Sequence, residues 1–337
     1  MKKILVWLSW GVDSAVSAYL LKEHGYEVSC GFMINYLDEE NESCPTRVDL
    51  EQARIVAEFL NLPFYTFDYR EEYEKRIVDY IYSEYEKGRT PNPDVFCNNL
   101  IKFDLFLEEA LSLGYDAIAM GHYARTDGWK LLKWVDPLKD QSYFLSRLSH
   151  FQLEHAMFPI WYFLKSEVRE IAKRAKLPNA DRKDSQGLCF IGKVSMKEFL
   201  ERRFPKKSGN ILDTAWKVIG NHEGAFSYTI GQRRGIEIGG GPALVVLAKD
   251  TQHNTITVGT EEELSLFSTK CLISYWIWED IAVWQVYWAK IRYRQIDQEV
   301  TIKKWDSNLE ISFSNSQRAI ASGQICVIYD GERVVGS

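Results

Sequence analysis

The opening of the chain constrains its fold more than any other stretch. Ile4, Leu5 and Val6 form a short apolar run of the kind found in a buried parallel strand. From Val12 to His24 the apolar residues Val12, Val16, Tyr19 and Leu20 recur at helical spacing. After a break at Gly25, residues 27–34 read as a second strand. Strand, helix, strand implies parallel pairing, and a parallel sheet needs helices over its faces. The loop Ser9-Trp10-Gly11-Val12-Asp13-Ser14 then lies at a helix N-terminus, which offers unpaired N–H groups and a positive dipole end to an anion. Ser9 and Ser14 add hydroxyl donors, and Asp13 is placed to cap the helix or hold a metal. An ordinary strand–helix turn uses Ser and Asp as caps too, so the loop alone leaves both readings open.

The alternation continues. Residues 48–60 read as a helix, 64–67 as a strand, 70–86 as a long helix, 99–113 as a helix and 115–120 as a short strand. The fold class is therefore α/β, a doubly wound parallel sheet over residues 1–195. Its ligand belongs at the carboxyl ends of the strands, where the Ser9–Ser14 loop lies. Residues 196–262 are glycine-rich with short strand-like pieces, and predict a small central module. Over 263–337 the period-2 stretches 285–294, 299–304, 309–314 and 325–329 predict a C-terminal antiparallel β-barrel. Two or three domains are what 337 residues lead one to expect.

Cys30, Cys44, Cys97, Cys189, Cys271 and Cys326 are scattered, with no C-x-x-C pair. That disfavours a zinc or iron–sulfur site, and no residue set is assigned to a metal. No apolar run is long enough to span a bilayer, and the chain enters a strand at once. Both predict a cytoplasmic protein with no membrane partner. The net charge of −6 does not advertise a nucleic-acid partner. The charge is uneven, however. From Lys165 to Lys207, 13 Lys and Arg stand against 6 Asp and Glu, and Arg233, Arg234, Lys290, Arg292 and Arg294 follow. Such a run is either a solvated helix face or a phosphate-backbone footprint.

Two further motifs carry chemistry. In Gly88-Arg-Thr-Pro-Asn-Pro-Asp-Val-Phe-Cys97-Asn98 a rigid loop sets Cys97 beside the start of the 99–113 helix, where the dipole lowers a thiol pKa. In Arg182-Lys-Asp-Ser-Gln-Gly-Leu-Cys189-Phe-Ile-Gly192 a flexible turn precedes Cys189, with Arg182 and Lys183 nearby. Two such cysteines suit covalent sulfur chemistry. For each alone, a small buried hydrophobe is the other reading.

Taken in order, these motifs resemble those of the bacterial tRNA-specific 2-thiouridylases, within the N-type ATP pyrophosphatase superfamily. The resemblance runs end to end, through Ser9–Ser14, Phe32-Met33, 88–98, 101–103, 121–125, 139–144, 165–169, 184–192, 228–233 and 291–294. It implies an adenine nucleotide alpha hydrolase-like sheet. It implies that ATP binds at Trp7, Leu8, Ser9, Trp10, Gly11, Val12, Asp13 and Ser14, with Met33 and Gly121 lining the site and Mg2+ neutralising phosphate charge. The uracil 2-carbonyl oxygen would attack the α-phosphate. Cys189 would carry a persulfide from a sulfur-donor or relay protein, and Cys97 would resolve it, leaving a Cys97–Cys189 disulfide. Asp94 would be the acid/base. Asn92, Pro93, Asp94, His122, Lys139, Asp140, Gln141, Arg292, Tyr293 and Gln324 match positions that hold the tRNA, whose wobble uridine must leave the anticodon stack. Arg233 and Arg234 are further phosphate contacts by charge. For His122 by itself, a satisfied core histidine is the default.

The Ser9–Ser14 loop departs from the family's S-G-G-x-D-S pattern at one position: Trp10 stands where the first glycine belongs. A loop whose backbone approaches a pyrophosphate tolerates no large side chain there. A tRNA-binding homologue that has lost catalysis is therefore an alternative, as is an amide-forming ligase that shares the loop but has no use for Cys97 and Cys189. Against the inactive reading, Trp7, Trp134, Trp161 and Trp216 also stand where the family pattern has glycine, and Trp216 and Trp305 fall where turns favour it. A reassigned UGA codon, read as tryptophan but decoded as glycine, would explain them together.

Overall fold

A computed structural model describes residues 1–37, 44–183, 195–239, 241–277, 281–283, 285–305 and 308–337. The chain divides into two compact units. The first comprises Met1–Ile77, Pro93–Lys193 and Tyr329–Gly336; the second comprises Val78–Asn92, Val194–Ile328 and Ser337.

The first unit is built on a five-stranded parallel sheet. Strands β1 (Lys3–Trp7), β2 (Glu27–Ile34), β3 (Phe64–Asp68) and β4 (Ala117–Ala119) pair in the order β3-β2-β1-β4, and Ala156–Met157 adds the last strand beside β4. Ile4, Leu5 and Val6 have no exposed surface, as their uninterrupted apolar run demands of a central strand. Helix α1 (Val12–Glu23) lays Val12, Ala15 and Val16 into the same core as Val28, Cys30 and Phe32 of β2. Helix Lys165–Arg174 adds Val168, Ile171 and Ala172 to it. Burial pushes the Cys30 thiol up to about 12, so this cysteine is an inert small hydrophobe.

One expected boundary moves. The helix expected from residue 99 begins at Pro93, where the fixed φ of proline suits a first helical position. It runs as Pro93–Cys97, a π-helical stretch Asn98–Leu105 and an α-helical Phe106–Ser112. Cys97 thus lies a full turn inside the helix rather than beside its N-terminus, and the dipole argument passes from Cys97 to Asp94 in the first turn.

In the second unit the glycine-rich stretch forms a four-stranded sheet in the order Val245–Asp250, Thr255–Gly259, Gly209–Leu212, Val218–His222. The C-terminal strands Phe267–Ile273, Asn308–Arg318, Gln298–Trp305 and Val286–Lys290 pair antiparallel in that order. Val300 and Ile302 alternate inward opposite Phe313 and Ile311, the period-2 pattern of the sequence. Trp305 closes the Gln298–Trp305 strand and pairs with Asn308 instead of sitting in the turn. Among the described residues, no helix is long and apolar enough to cross a membrane.

Candidate functional site

The site begins where β1 ends. Leu8 N–H donates to Gly31 C=O at 2.9 Å, carrying the β1–β2 pairing one residue past the strand. The chain then reverses at Trp10, whose φ of +62° is left-handed, and Gly11 enters α1 as its N-cap with extended backbone. No side chain caps α1, so its first amides stand available to an anion. The two serines tie the loop to itself. Ser9 N–H donates to Ser14 Oγ at 3.2 Å, the two hydroxyl oxygens lie 3.3 Å apart, and Ser14 Oγ donates to Gly11 C=O at 3.0 Å.

Gly121, just past β4, closes on this turn. A Cβ there would lie 2.7 Å from Ser14 N and 2.8 Å from the Asp13 carbonyl carbon. Only glycine lets residue 121 approach the first turn of α1 so closely.

Asp13 does not cap α1 as it was placed to do, and both its carboxylate oxygens are engaged within the protein. Lys165 Nζ donates to each at 2.7 Å, and Tyr123 Oη donates to Oδ1 at 2.7 Å. The pair is partly buried, where charge-assisted bonds gain strength. Lys165 begins the helix Lys165–Arg174, so a cation stands at the mouth of the loop with its carboxylate partner. Trp10 is braced from its backbone: Asn179 Nδ2 donates to its C=O at 2.9 Å, and the Arg182 guanidinium lies 5.1 Å over the indole. Arg182 also pairs with Asp49 at 3.0 Å; burial nevertheless holds the Asp49 carboxyl above its ordinary value, with Arg182 opposing.

The remaining candidates of this unit line its interior. Trp7 is buried at the end of β1, with Lys102 Nζ 4.6 Å from its ring. Met33 is wholly buried on β2, paired with Phe67. Cys97 is 2 % exposed and follows Asp94 by three residues, one turn on the same helical face. His122 is buried between Phe103 and Phe158, with ring centroids 5.9 and 6.2 Å away. Burial first, then the Lys102 charge, holds its imidazole well below the ordinary value, so it is neutral. Asp140 is buried and accepts from Trp134 N at 3.0 Å, Ser142 N at 3.1 Å and Ser142 Oγ at 2.9 Å. Gln141 Oε1 accepts from Tyr123 N at 2.9 Å, and Lys139, just before Asp140, is exposed. Cys189, with the rest of residues 184–194, lies outside the described residues.

The second unit gathers the other candidates. Gln324 Nε2 donates to Thr90 C=O at 2.7 Å and to Pro91 C=O at 3.3 Å, and Thr90 N–H donates to Ser322 C=O at 2.8 Å. Gly323, at φ +91°, lies where a Cβ would meet Thr90 O at 2.9 Å. Arg292 donates to Ala319 C=O at 2.7 Å. Asn92 ends the segment that Gln324 clamps, and the exposed Arg233 and Arg234 follow Gly231. Part of the basic run is engaged within the protein: Lys165, Lys173, Arg182, Lys197, Arg203 and Lys206 are in ion pairs.

Motif reading found the loop and Gly121 but missed Lys165, Tyr123, Asn179 and Arg182 as its partners. The one available signal was that Lys165 opens a matched motif.

Comparison with known proteins finds three family models matching in succession along the chain. The tRNA methyl transferase HUP domain model matches residues 2–193, the tRNA methyl transferase PRC-barrel domain model 197–260, and the Aminomethyltransferase beta-barrel domain model 273–337. The tRNA-specific 2-thiouridylase MnmA of Flavobacterium johnsoniae is 41% identical, over 100% of this chain and 99% of its own. Those of Exiguobacterium sibiricum and Bacillus subtilis are 44% and 43% identical, each over 99% of this chain and 92% and 93% of their own. With such identity along its whole length, the chain belongs to the bacterial tRNA-specific 2-thiouridylase family.

Proposed function

We propose that the chain is a sulfurtransferase that uses ATP to replace the 2-oxygen of a tRNA wobble uridine by sulfur. The observation that carries this is the uncapped N-terminus of α1, closed by Gly121, in a chain that matches thiouridylases end to end. ATP is a substrate here. The loop Trp7–Ser14 holds its phosphates on backbone amides, and Lys165 offers its charge to the pyrophosphate as it leaves. Gly121 and Met33 shape the nucleotide pocket.

The described residues do not build a magnesium cage: among them no group of three metal-ligating side chains occurs, and Lys165 occupies Asp13. Magnesium would enter on the nucleotide's own phosphates, and no protein step depends on it here.

The uracil 2-carbonyl is amide-like and its oxygen a poor leaving group. Attack by that oxygen on the α-phosphate converts it to a leaving AMP and releases pyrophosphate. The terminal sulfur of a Cys189 persulfide then forms the C2–S bond as the C2–O bond to AMP breaks. Cys97, as thiolate, attacks the Cys189 sulfur and forms a disulfide, which an external dithiol reduces before the next cycle. Asp94, one turn from Cys97, moves the proton. The persulfide comes from a donor or relay protein. Asn92, Pro93, His122, Lys139, Asp140, Gln141, Arg292, Tyr293 and Gln324 hold the anticodon stem-loop, Asp140 and Gln324 through the loops they fix and Lys139 directly.

In this reading residues 1–195 form the catalytic domain, 196–262 a small central tRNA-contacting domain and 263–337 a C-terminal β-barrel domain, with tRNA-holding residues in the first and last as well. Both substrates, tRNA and ATP, place the reaction in the cytoplasm. The test is tRNA thiolation with ATP and a persulfide source. Either Cys97→Ala or Cys189→Ala is expected to abolish 2-thiouridine while pyrophosphate release persists. Thiolation by either variant at the parent rate would refute the assignment.

A further inference from the structure

Two tryptophans occupy backbone that tryptophan should not adopt. Trp10 has φ +62° and Trp216 has φ +64°. The other non-glycine residues in this region are Asn61, Lys176, Asn254 and Ala319. Asparagine is the residue type that tolerates left-handed backbone best after glycine, and bulky residues are its true outliers.

The two sites share nothing else. At Trp216, Asp213 Oδ1 accepts from Ala215 N and Lys217 N at 2.9 Å each, and Trp216 N–H donates to Asp213 C=O at 3.0 Å. This is a hairpin turn with Asp at its first position and a left-handed fourth residue before strand Val218–His222, and that fourth position calls for glycine. The Trp216 side chain is 75 % exposed and gains no packing in return. At Trp10 the indole lies at the anion loop beneath Arg182. By contrast Trp7, Trp134 and Trp161 are not among the left-handed residues, so the backbone singles out two of the five tryptophans at expected glycine sites.

We propose that positions 10 and 216 carry glycine in the polypeptide made by its own cell, through UGA codons decoded as glycine. Position 10 then becomes the specificity-determining residue of the loop. With glycine the loop is Ser-Gly-Gly-Val-Asp-Ser, its backbone is open to a pyrophosphate, and the Arg182 guanidinium is released from the indole. Lys176 and Ala319 share this backbone, so the identity of the residues stands on the backbone geometry together with the glycine expected at positions 10 and 216; the consequence for the loop rests on the function proposed above.

Tryptic peptides of the protein purified from its native source decide the identity. The peptides spanning residues 10 and 216 are expected to weigh less by the difference between tryptophan and glycine. Tryptophan at both positions overturns the proposal. The functional half is read separately on recombinant protein translated with tryptophan. Trp10→Gly is expected to raise ATP-dependent pyrophosphate release by about tenfold or more, the scale of one recovered charge-assisted hydrogen bond. Trp216→Gly is expected to leave that release unchanged while raising the melting temperature. No gain from Trp10→Gly in a folded protein, shown by an unchanged circular dichroism spectrum, removes the loop consequence and leaves the peptide masses to judge the identity.

Discussion

Trp10 and Trp216 have the same backbone conformation and opposite surroundings. Trp10 is anchored: Asn179 grips its carbonyl, Arg182 covers its ring, and the α1 N-terminus follows it. Trp216 projects from a hairpin turn that Asp213 already closes. A functional reason could be imagined for the first and none for the second. What they share is a conformation that only glycine adopts without steric cost. The backbone demand is common to both positions, and only position 10 adds a demand of the site.

The largest effect concerns the anchored site. Lys165→Ala strips Asp13 of its cation and the loop of its charge. With glycine at position 10, it is expected to lower pyrophosphate release by about a hundredfold, measured by a coupled phosphate assay. Lys165→Arg should recover part of that loss, which a purely structural role for the side chain would not distinguish from alanine. The Trp10→Gly gain comes next, at about tenfold or more. If Trp216→Gly produced a similar gain, the division between anchored and exposed sites would fail.

His122 tests the interior beside the loop. Its imidazole is held neutral in the folded protein, while in the unfolded chain it titrates near about 6.5. The unfolded state therefore binds more protons below that pH. The stabilisation is fully present above about pH 6.5 and falls by about 1.4 kcal/mol per unit as the pH drops. His122→Gln should flatten this part of a denaturation curve recorded from pH 7 to 5. An unchanged slope would mean that the ring is hydrated.

The smallest effect belongs to the exposed turn. Trp216→Gly should stabilise the protein by about 1 kcal/mol, read as a shift in urea midpoint at unchanged slope. A loss of stability would show that the exposed indole has a stabilising partner.

These same residues show how much could be read from sequence. The β-α-β opening was legible because it is local: an apolar run, a helical period and a break at Gly25 fall within about one tenth of the chain. The helix start at Pro93 was missed because the prolines read as loop, although one of them occupies a first helical position. The partners of Asp13 were not legible. Tyr123 is 110 residues away and Lys165 152, and no local period brings distant residues to one carboxylate. Their meeting depends on the parallel sheet order, which sets β4 and the helix Lys165–Arg174 beside β1 and α1. Conversely the Trp10 substitution was legible as an anomaly of motif, and the backbone angles narrow the six suspect tryptophans to two.

The most direct test of the account measures 2-thiouridine in tRNA after incubation with ATP and a persulfide donor, using protein with glycine at position 10. The account predicts ATP-dependent 2-thiouridine from the protein with Cys97 intact. With Cys97→Ala it predicts none, although pyrophosphate is still released. Thiolation without ATP, or equal thiolation by Cys97→Ala, would contradict it.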